Sequence, residues 1–317
     1  YYLKVWKPKQ VTIVARNPLW KGPKPDFDEI HFFPIDDEKT AEIGFEAGDL
    51  DFTRISISSL QKFMDSPPAE GKVVNLPSLY YCFEYPRHIY EPWLIRRTAN
   101  PAARALLLPL RLLERSIDRR SALSASGVAT LSDYMARRLR EIYGLEAAVV
   151  HPGVDAGRLT PGGGSPGDYV LSVGALWPFK GHELAIRAVA RLPRRVRPPL
   201  RIVADRELPG YSRRLSSDAS RLEVDLKIHL GIPEDDLLQA YRGALAVLCC
   251  QAREPYGLVP LEAMACARPV VAVAEGGFLD NVGHGRTGLL SKRRPEEVAR
   301  HLGSLLSDPA LARRLGE

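Results

Sequence analysis

Two apolar runs, residues 244–250 and 269–274, bracket the segment Arg253-Glu254-Pro255-Tyr256-Gly257-Leu258-Val259-Pro260-Leu261-Glu262-Ala263-Met264-Ala265-Cys266. A short continuous apolar run between turn residues reads as a strand buried on both faces. The segment between the runs opens as a loop and then turns helical. Pro260 is tolerated in a first helical turn, where its missing N–H has no partner to lose. Leu261, Met264 and Ala265 then recur at helical spacing. The order is strand, loop, helix, strand, and it commits this part of the chain to an α/β layer structure. In an open α/β sheet, ligands bind at the loops that follow the strands. Glu254 falls in such a loop and Glu262 on the helix behind it. Free N–H groups near Gly257 and Leu258 can hold an anion or a sugar oxygen. An ionised carboxylate only accepts hydrogen bonds, so two of them suit a ligand rich in hydroxyls. The plainer account makes Glu254 a helix cap and Glu262 a solvated helix residue; spacing alone does not separate the two.

The same alternation runs from residue 168 to the end. Strands are expected at 169–174, 200–204, 225–230, 244–250, 269–274 and 287–290, with helices at 182–191, 213–221, 235–242, 260–266 and 295–306. That order means a Rossmann-like parallel sheet with helices on both faces. Ser172-Val173-Gly174-Ala175-Leu176-Trp177-Pro178-Phe179-Lys180-Gly181 joins the first strand to its helix. Lys180 sits just before the helix start, where positive charge and free N–H groups converge on a phosphate. Solvation is the plainer account of a single Lys there. Gly276 and Gly277, after the fifth strand, would let backbone approach a ligand closely.

Taken together, residues 253–266 resemble the Glu-x7-Glu signature of family-4 glycosyltransferases, enzymes of the GT-B fold. Around 81–317 the order of motifs is similar to that family. Val149-Val150-His151-Pro152-Gly153-Val154-Asp155 resembles the crossing between its two domains, and Gly285-Arg286-Thr287-Gly288-Leu289-Leu290 its final strand. The resemblance implies transfer of a sugar from a nucleotide-sugar donor to an unknown glycan or lipid acceptor. It also implies retention of configuration, no metal and no other cofactor. In that reading Lys180 and Glu254 are the catalytic pair, Lys180 on the diphosphate and Glu254 on the donor sugar. Glu262 takes the ribose hydroxyls, and Gly174, Gly181, Gly257, Leu258, Gly276 and Gly277 complete the donor site. Two positions depart from the pattern. Ala175 stands where the family has a second cation, and Phe83 in Cys82-Phe83-Glu84-Tyr85-Pro86-Arg87 stands where it has a His.

The first eighty residues carry different wording. Ala15-Arg16-Asn17-Pro18-Leu19-Trp20, Pro25-Asp26-Phe27-Asp28-Glu29-Ile30 and Glu46-Ala47-Gly48-Asp49-Leu50-Asp51 resemble a fragment of family-5 solute-binding proteins of ABC importers. Strands at 11–16, 30–35 and 50–55 and helices at 38–47 and 58–64 make it a small α+β fragment. The division expected is 1–80, a truncated GT-B N-terminal remnant at 81–151, and the nucleotide-sugar domain at 152–317, with a flexible linker at 162–167. The alternatives are a peptide-binding importer component, or a fusion joined near Tyr80-Tyr81 without a single function. A truncated N-terminal domain implies an incomplete acceptor site and an unstable or inactive enzyme.

Composition narrows the partners. The chain has 317 residues, 45% hydrophobic and 26% charged, with a net charge of +6. Its Arg clusters (Arg96-Arg97, Arg119-Arg120, Arg137-Arg138, Arg194-Arg195) suit phosphates or an anionic membrane surface. Residues 93–120 are rich in Arg and Leu at helical spacing, an amphipathic surface. No nucleic-acid module is visible. Cys82, Cys249, Cys250 and Cys266 have no metal-ligand spacing and no disulfide framework. With no signal-peptide layout and no apolar run of membrane-spanning length, the location expected is cytoplasmic, peripheral to the inner membrane face.

Overall fold

A computed structural model describes residues 2–7, 11–15, 29–32, 40, 79–91, 108–164 and 166–316. The chain divides into two compact units, Tyr1–Leu76 and Pro77–Glu317. In the first, β1 (Tyr2–Lys7), β2 (Val11–Ala15) and β3 (Glu29–Phe32) form an antiparallel sheet in that order. Lys4 on β1 reaches across to the Glu29 carboxylate on β3. The sequence indicated β2 and β3 but not β1. Its expectations for 38–64 lie outside the described residues, Thr40 apart.

The second unit begins with a small parallel sheet, β4 (Leu79–Cys82), β5 (Gly127–Thr130) and β6 (Ala148–Val149), in the order β4-β5-β6. Its helices are α1 (Arg87–Tyr90), α2 (Leu108–Leu123) and α3 (Asp133–Tyr143). Ser132 caps α3: its Oγ accepts from the Met135 N–H at 3.0 Å. Gly144 ends the helix in a left-handed conformation, φ 76°, a position glycine fills without a Cβ penalty. Strand β4 runs unbroken through Tyr80-Tyr81, where the sequence places a join; the division between compact units falls instead at Leu76/Pro77.

From residue 169 the chain alternates as expected: β7 (Tyr169–Val173), α4 (His182–Ala190), β8 (Leu200–Ala204), α5 (Tyr211–Arg221), β9 (Leu226–Leu230), α6 (Glu234–Arg242), β10 (Ala244–Cys249), α7 (Leu258–Ala265), β11 (Val270–Val273), α8 (Phe278–Asn281), β12 (Leu289–Ser291), α9 (Pro295–Ser307) and α10 (Pro309–Gly316). The six strands pair in parallel in the order β12-β11-β10-β7-β8-β9. This is a doubly wound order, and it reverses between β7 and β10. Every residue of β7 and of β11 is buried, as strands covered on both faces must be. On one face Ile186, Leu200, Ile202, Leu215 and Leu302 pack with α4, α5 and α9. On the other, Leu171, Val247, Tyr241 and Phe278 pack with α6, α7 and α8. Full burial of each large apolar side chain contributes about 1.5–3 kcal/mol.

Two local expectations change. On α7 the buried positions are Pro260 and Ala263, with Cys266 just beyond, while Leu261, Met264 and Ala265 are only partly covered. The reason is that α7 is covered from two sides, by the large sheet and by the small layer, whose core takes in Leu261. The loop 162–167 carries no helix or strand among its described residues, but it is tethered. Arg242 donates to Thr160 O at 2.9 Å, and the Gly167 N–H donates to Gly243 O at 2.9 Å.

Ser132 also donates to the Pro255 carbonyl at 2.5 Å, tying the small sheet to the loop after β10. Ser132→Ala loses both this bond and the α3 cap. It should lower unfolding free energy by about 1–3 kcal/mol in urea titrations; an unchanged midpoint would contradict the dual role.

Candidate functional site: the loops after β7 and β10

Topology puts the site where the strand order reverses, at the C-terminal ends of β7 and β10. After β7 the chain makes a 3-10 turn, Pro178–Lys180, and Gly181 passes it into α4. After β10 it runs through residues 250–257 into α7. Across this gap the Lys180 ammonium donates to both Glu254 oxygens, at 3.0 and 2.9 Å. The pair is about four-fifths buried, 22% and 17% exposed. Lys180 and Glu254 therefore meet, although they lie far apart in sequence.

The glycines are explained by backbone approach. At Gly181, φ 76°, a Cβ would lie 1.8 Å from the Cys250 carbonyl oxygen. At Gly276, φ 63°, it would lie 2.4 Å from Glu254 O, and at Gly277 2.3 Å from Tyr256 Cα. At Gly257, φ 87°, it would strike the Phe278 ring at 2.3 Å. Gly174 sits with its Cβ position 3.6 Å from the Lys180 stem. So Gly276 and Gly277 let one loop approach another: they pack on the Glu254 loop itself, where the sequence suggests close approach to a ligand. Leu258, the first residue of α7, is exposed. Arg253 holds φ 49°, the left-handed region, immediately before Glu254. A non-glycine residue there costs about 1–2 kcal/mol, so the loop is held from outside.

Glu262, on α7, is engaged by the neighbouring helix. Its Oε2 accepts from the Tyr241 hydroxyl of α6 at 2.5 Å. Burial, with the carboxylate beside it, holds the Tyr241 phenol well above its ordinary range, so it remains a donor. The four cysteines are free and buried, and burial pushes Cys250 up to about 12.

Gln251, Arg293 and His182 lie outside the sequence motifs, and Glu84 and Arg87 lie in the Cys82–Arg87 stretch without an assigned role. Gln251 is buried, and its Nε2 donates to Val173 O at 2.9 Å, bridging β7 and β10 at the reversal. Arg293, in the Lys292-Arg293-Arg294 run after β12, donates to Cys250 O (3.0 Å), Gln251 O (2.6 Å) and Glu275 Oε2 (2.9 Å). Arg87, from the small layer, donates to Ala252 O at 3.0 Å and to Glu91 Oε2 at 3.1 Å. Its guanidinium lies 5.2 Å from the Phe179 ring, and Lys180 Nζ lies 5.7 Å from the same ring. Glu84 approaches Arg87 at 3.6 Å. Partial burial pushes the Glu84 carboxyl up, with Arg87 opposing and Glu254 adding to the rise. His182 is fully buried; Nδ1 meets Ser172 Oγ at 3.0 Å and Nε2 meets Gly174 O at 3.1 Å. A carbonyl only accepts, so Nε2 carries the proton and fixes the loop at residue 174. Ala175, where the resemblance expects a cation, is buried.

Solved structures with this arrangement share the GT-B fold. Sucrose-phosphate synthase from Thermosynechococcus elongatus aligns over 84% of this chain and 75% of its own, with TM-score 0.61 and 24% identity. Anabaena HepE, solved in complex with UDP, aligns over 63% and 60%, with TM-score 0.57 and 24% identity. Residues 164–317 match the family described as Glycosyl transferases group 1. Relatives named D-inositol 3-phosphate glycosyltransferase are 35% identical over 190 residues (Streptomyces bingchenggensis) and 36% over 203 (Acidothermus cellulolyticus). These alignments cover 53% and 56% of this chain; the chain spans under half of the relatives, 42% and 44%.

Gly181→Ala should destabilise the protein by about 3 kcal/mol or more, because backbone must move; a melting temperature equal to wild type would refute the contact. A second prediction concerns acid. Burial lowers His182 from 6.5 to about 4. Between those values the unfolded chain takes up a proton that the folded chain refuses. This contribution is intact above pH 6.5, falls as pH drops, and levels off below about 4, a loss of about 3 kcal/mol in all. His182→Asn should flatten that part of the stability–pH curve measured by denaturant titration.

Proposed function

We propose that this chain binds a nucleoside-diphosphate sugar at the ends of β7 and β10 and transfers the sugar with retention of configuration, as a family-4 enzyme. The observation that carries the reading is the Lys180–Glu254 pair at the point where strand order reverses. Sugar transfer needs charge placed where the leaving diphosphate develops negative charge. Lys180 supplies it, helped by the N–H groups opening α4 and α7. Until a ligand arrives, Glu254 holds Lys180 in place. An incoming diphosphate takes over the ammonium and frees the Glu254 carboxylate to accept hydrogen bonds from sugar hydroxyls. Glu262, oriented by Tyr241, accepts from the ribose. Gly174, Gly181, Gly257, Leu258, Gly276 and Gly277 shape the loops around the donor.

The UDP held by Anabaena HepE supports a uridine nucleotide as the first donor to test. The acceptor is a glycan or lipid, and the location is the cytoplasmic face of a membrane. No helix among the described residues is long and apolar enough to cross one. The inositol phosphate in the relatives' names belongs to proteins of which this chain spans less than half, so the proposal is confined to the donor side. The resemblance of residues 1–80 to solute-binding proteins carries no part of it.

Calorimetric titration with UDP tests the reading. Lys180→Ala should weaken binding about 10- to 100-fold, the loss of a charge-assisted contact of about 1.5–3 kcal/mol, and Glu262→Ala about tenfold. Equal affinity in all three proteins, or none in the wild type, would end the proposal.

A further inference from the structure

Helix α2 packs against α1 and α3 with its polar side inward. Arg111, Glu114, Asp118 and Ala122 recur at helical spacing and form the covered side. There the Asp118 carboxylate accepts from the Tyr90 and Tyr143 hydroxyls, each at 2.7 Å. Arg111 donates to the His88 and Ile89 carbonyls, each at 3.3 Å. The apolar residues point the other way. Leu108, Leu110, Leu112, Leu113, Ile117 and Leu123 are 51%, 52%, 59%, 56%, 56% and 47% exposed. A single exposed leucine is ordinary; an entire helical side of them marks a surface that meets something apolar.

Charge selects what that is. The acids of α2 face inward, while Arg115, Arg119 and Arg120 are exposed among the leucines. Arg115 lies 5.3 Å from the Tyr90 ring and Arg119 donates to Ile142 O at 3.0 Å, but both keep their charge at the surface. A second copy docking here through a two-fold contact would oppose arginines to arginines, with no outward acid on the helix to meet them. An anionic bilayer satisfies both features. Leucines enter the boundary between headgroups and acyl chains, and Arg stems lie along that boundary with their heads on lipid phosphates.

We propose that α2 is a docking helix that lays this face on an anionic phospholipid membrane. The proposal deepens the membrane location in the reading above but rests on different residues, none of which touches Lys180, Glu254 or Glu262. It would bring a lipid-borne acceptor to the layer that contributes Arg87 and Ser132 to the site.

The test is sedimentation of the full chain with vesicles of phosphatidylcholine alone, and of phosphatidylcholine mixed with phosphatidylglycerol. The wild type should pellet with the anionic vesicles, weakly with the neutral ones, and less as salt rises. Arg115→Gln/Arg119→Gln/Arg120→Gln should weaken binding about five-fold per arginine, roughly 100-fold in all. Leu112→Gln/Leu113→Gln/Ile117→Gln should abolish it. The leucine positions are exposed, and Arg115 and Arg119 make only surface contacts, so both variants should stay folded and bind UDP equally well, if the wild type binds it. No pelleting, equal pelleting on both vesicle types, or unchanged binding by either variant would overturn the proposal. So would self-association without vesicles that the leucine variant removes, which would assign the face to a second copy. Loss of UDP binding with vesicle docking intact would sink the donor reading alone.

Discussion

The Cys250 carbonyl occupies the space that a side chain at residue 181 would need. That single close approach sets the distance between the loop after β7 and the loop after β10. Everything polar at the strand reversal is organised by it. With Gly181 against Cys250, the Lys180 side chain is aimed over the gap and meets Glu254. Gly276 and Gly277 repeat the device on the far side, where the loop after β11 lies on the backbone of Glu254 and Tyr256. The Glu254 loop is thus clamped between two glycine contacts, which accounts for how Arg253 is kept at positive φ.

The carbonyls at the strand ends are satisfied by buried or partly buried side chains. Gln251 takes Val173 O, Arg293 takes Cys250 O and Gln251 O, and His182 takes Gly174 O. Each is a donor that closes a backbone acceptor the sheet leaves open. The cost of burying a guanidinium at Arg293 is offset by the Glu275 carboxylate at 2.9 Å. Fixed in this way, the loops hold Lys180 and Glu254 together at the strand reversal.

Much of this was legible before any coordinates. The alternation from residue 168 onward specified a doubly wound sheet because each run of Val, Leu, Ala and Ile is long enough for a strand buried on both faces and little else. Lys180 and Glu254 could be placed in loops after such runs, and the resemblance to the glycosyltransferase pattern singled them out. Their meeting could not be read, since it depends on which strands are neighbours, and the reversal between β7 and β10 is a property of the whole sheet. The contact of Gly276 and Gly277 with the Glu254 loop is hidden for the same reason: sequence shows that a Cβ is excluded, not by what. The bond that Glu262 accepts from Tyr241, twenty-one residues earlier in the chain, carries no sequence signal. Gln251 and His182 carried no signal beyond being polar residues beside apolar runs, and Arg87 stands in the Cys82–Arg87 stretch without a role that the pattern assigns. Short elements such as α1 and α8, each of 4 residues, leave too brief a period to detect.

The small layer bears on the same loop from the opposite direction. Ser132 donates to Pro255 O, Arg87 to Ala252 O, and Asp280 accepts from the Tyr134 N–H at 3.3 Å. His151, on the crossing between the sheets, stacks on Tyr256 at 5.4 Å. These contacts land on residues 252, 255, 256 and 280, all flanking Glu254 or the loop packed on it. A shift of the small layer would therefore move the carbonyls on either side of Glu254 before it moved the sheet. Among the described residues, that same layer exposes the apolar side of α2. Helix α2 joins this layer through Asp118, which accepts from Tyr90 and Tyr143, while Arg87 and Ser132 of the same layer reach the loop that carries Glu254.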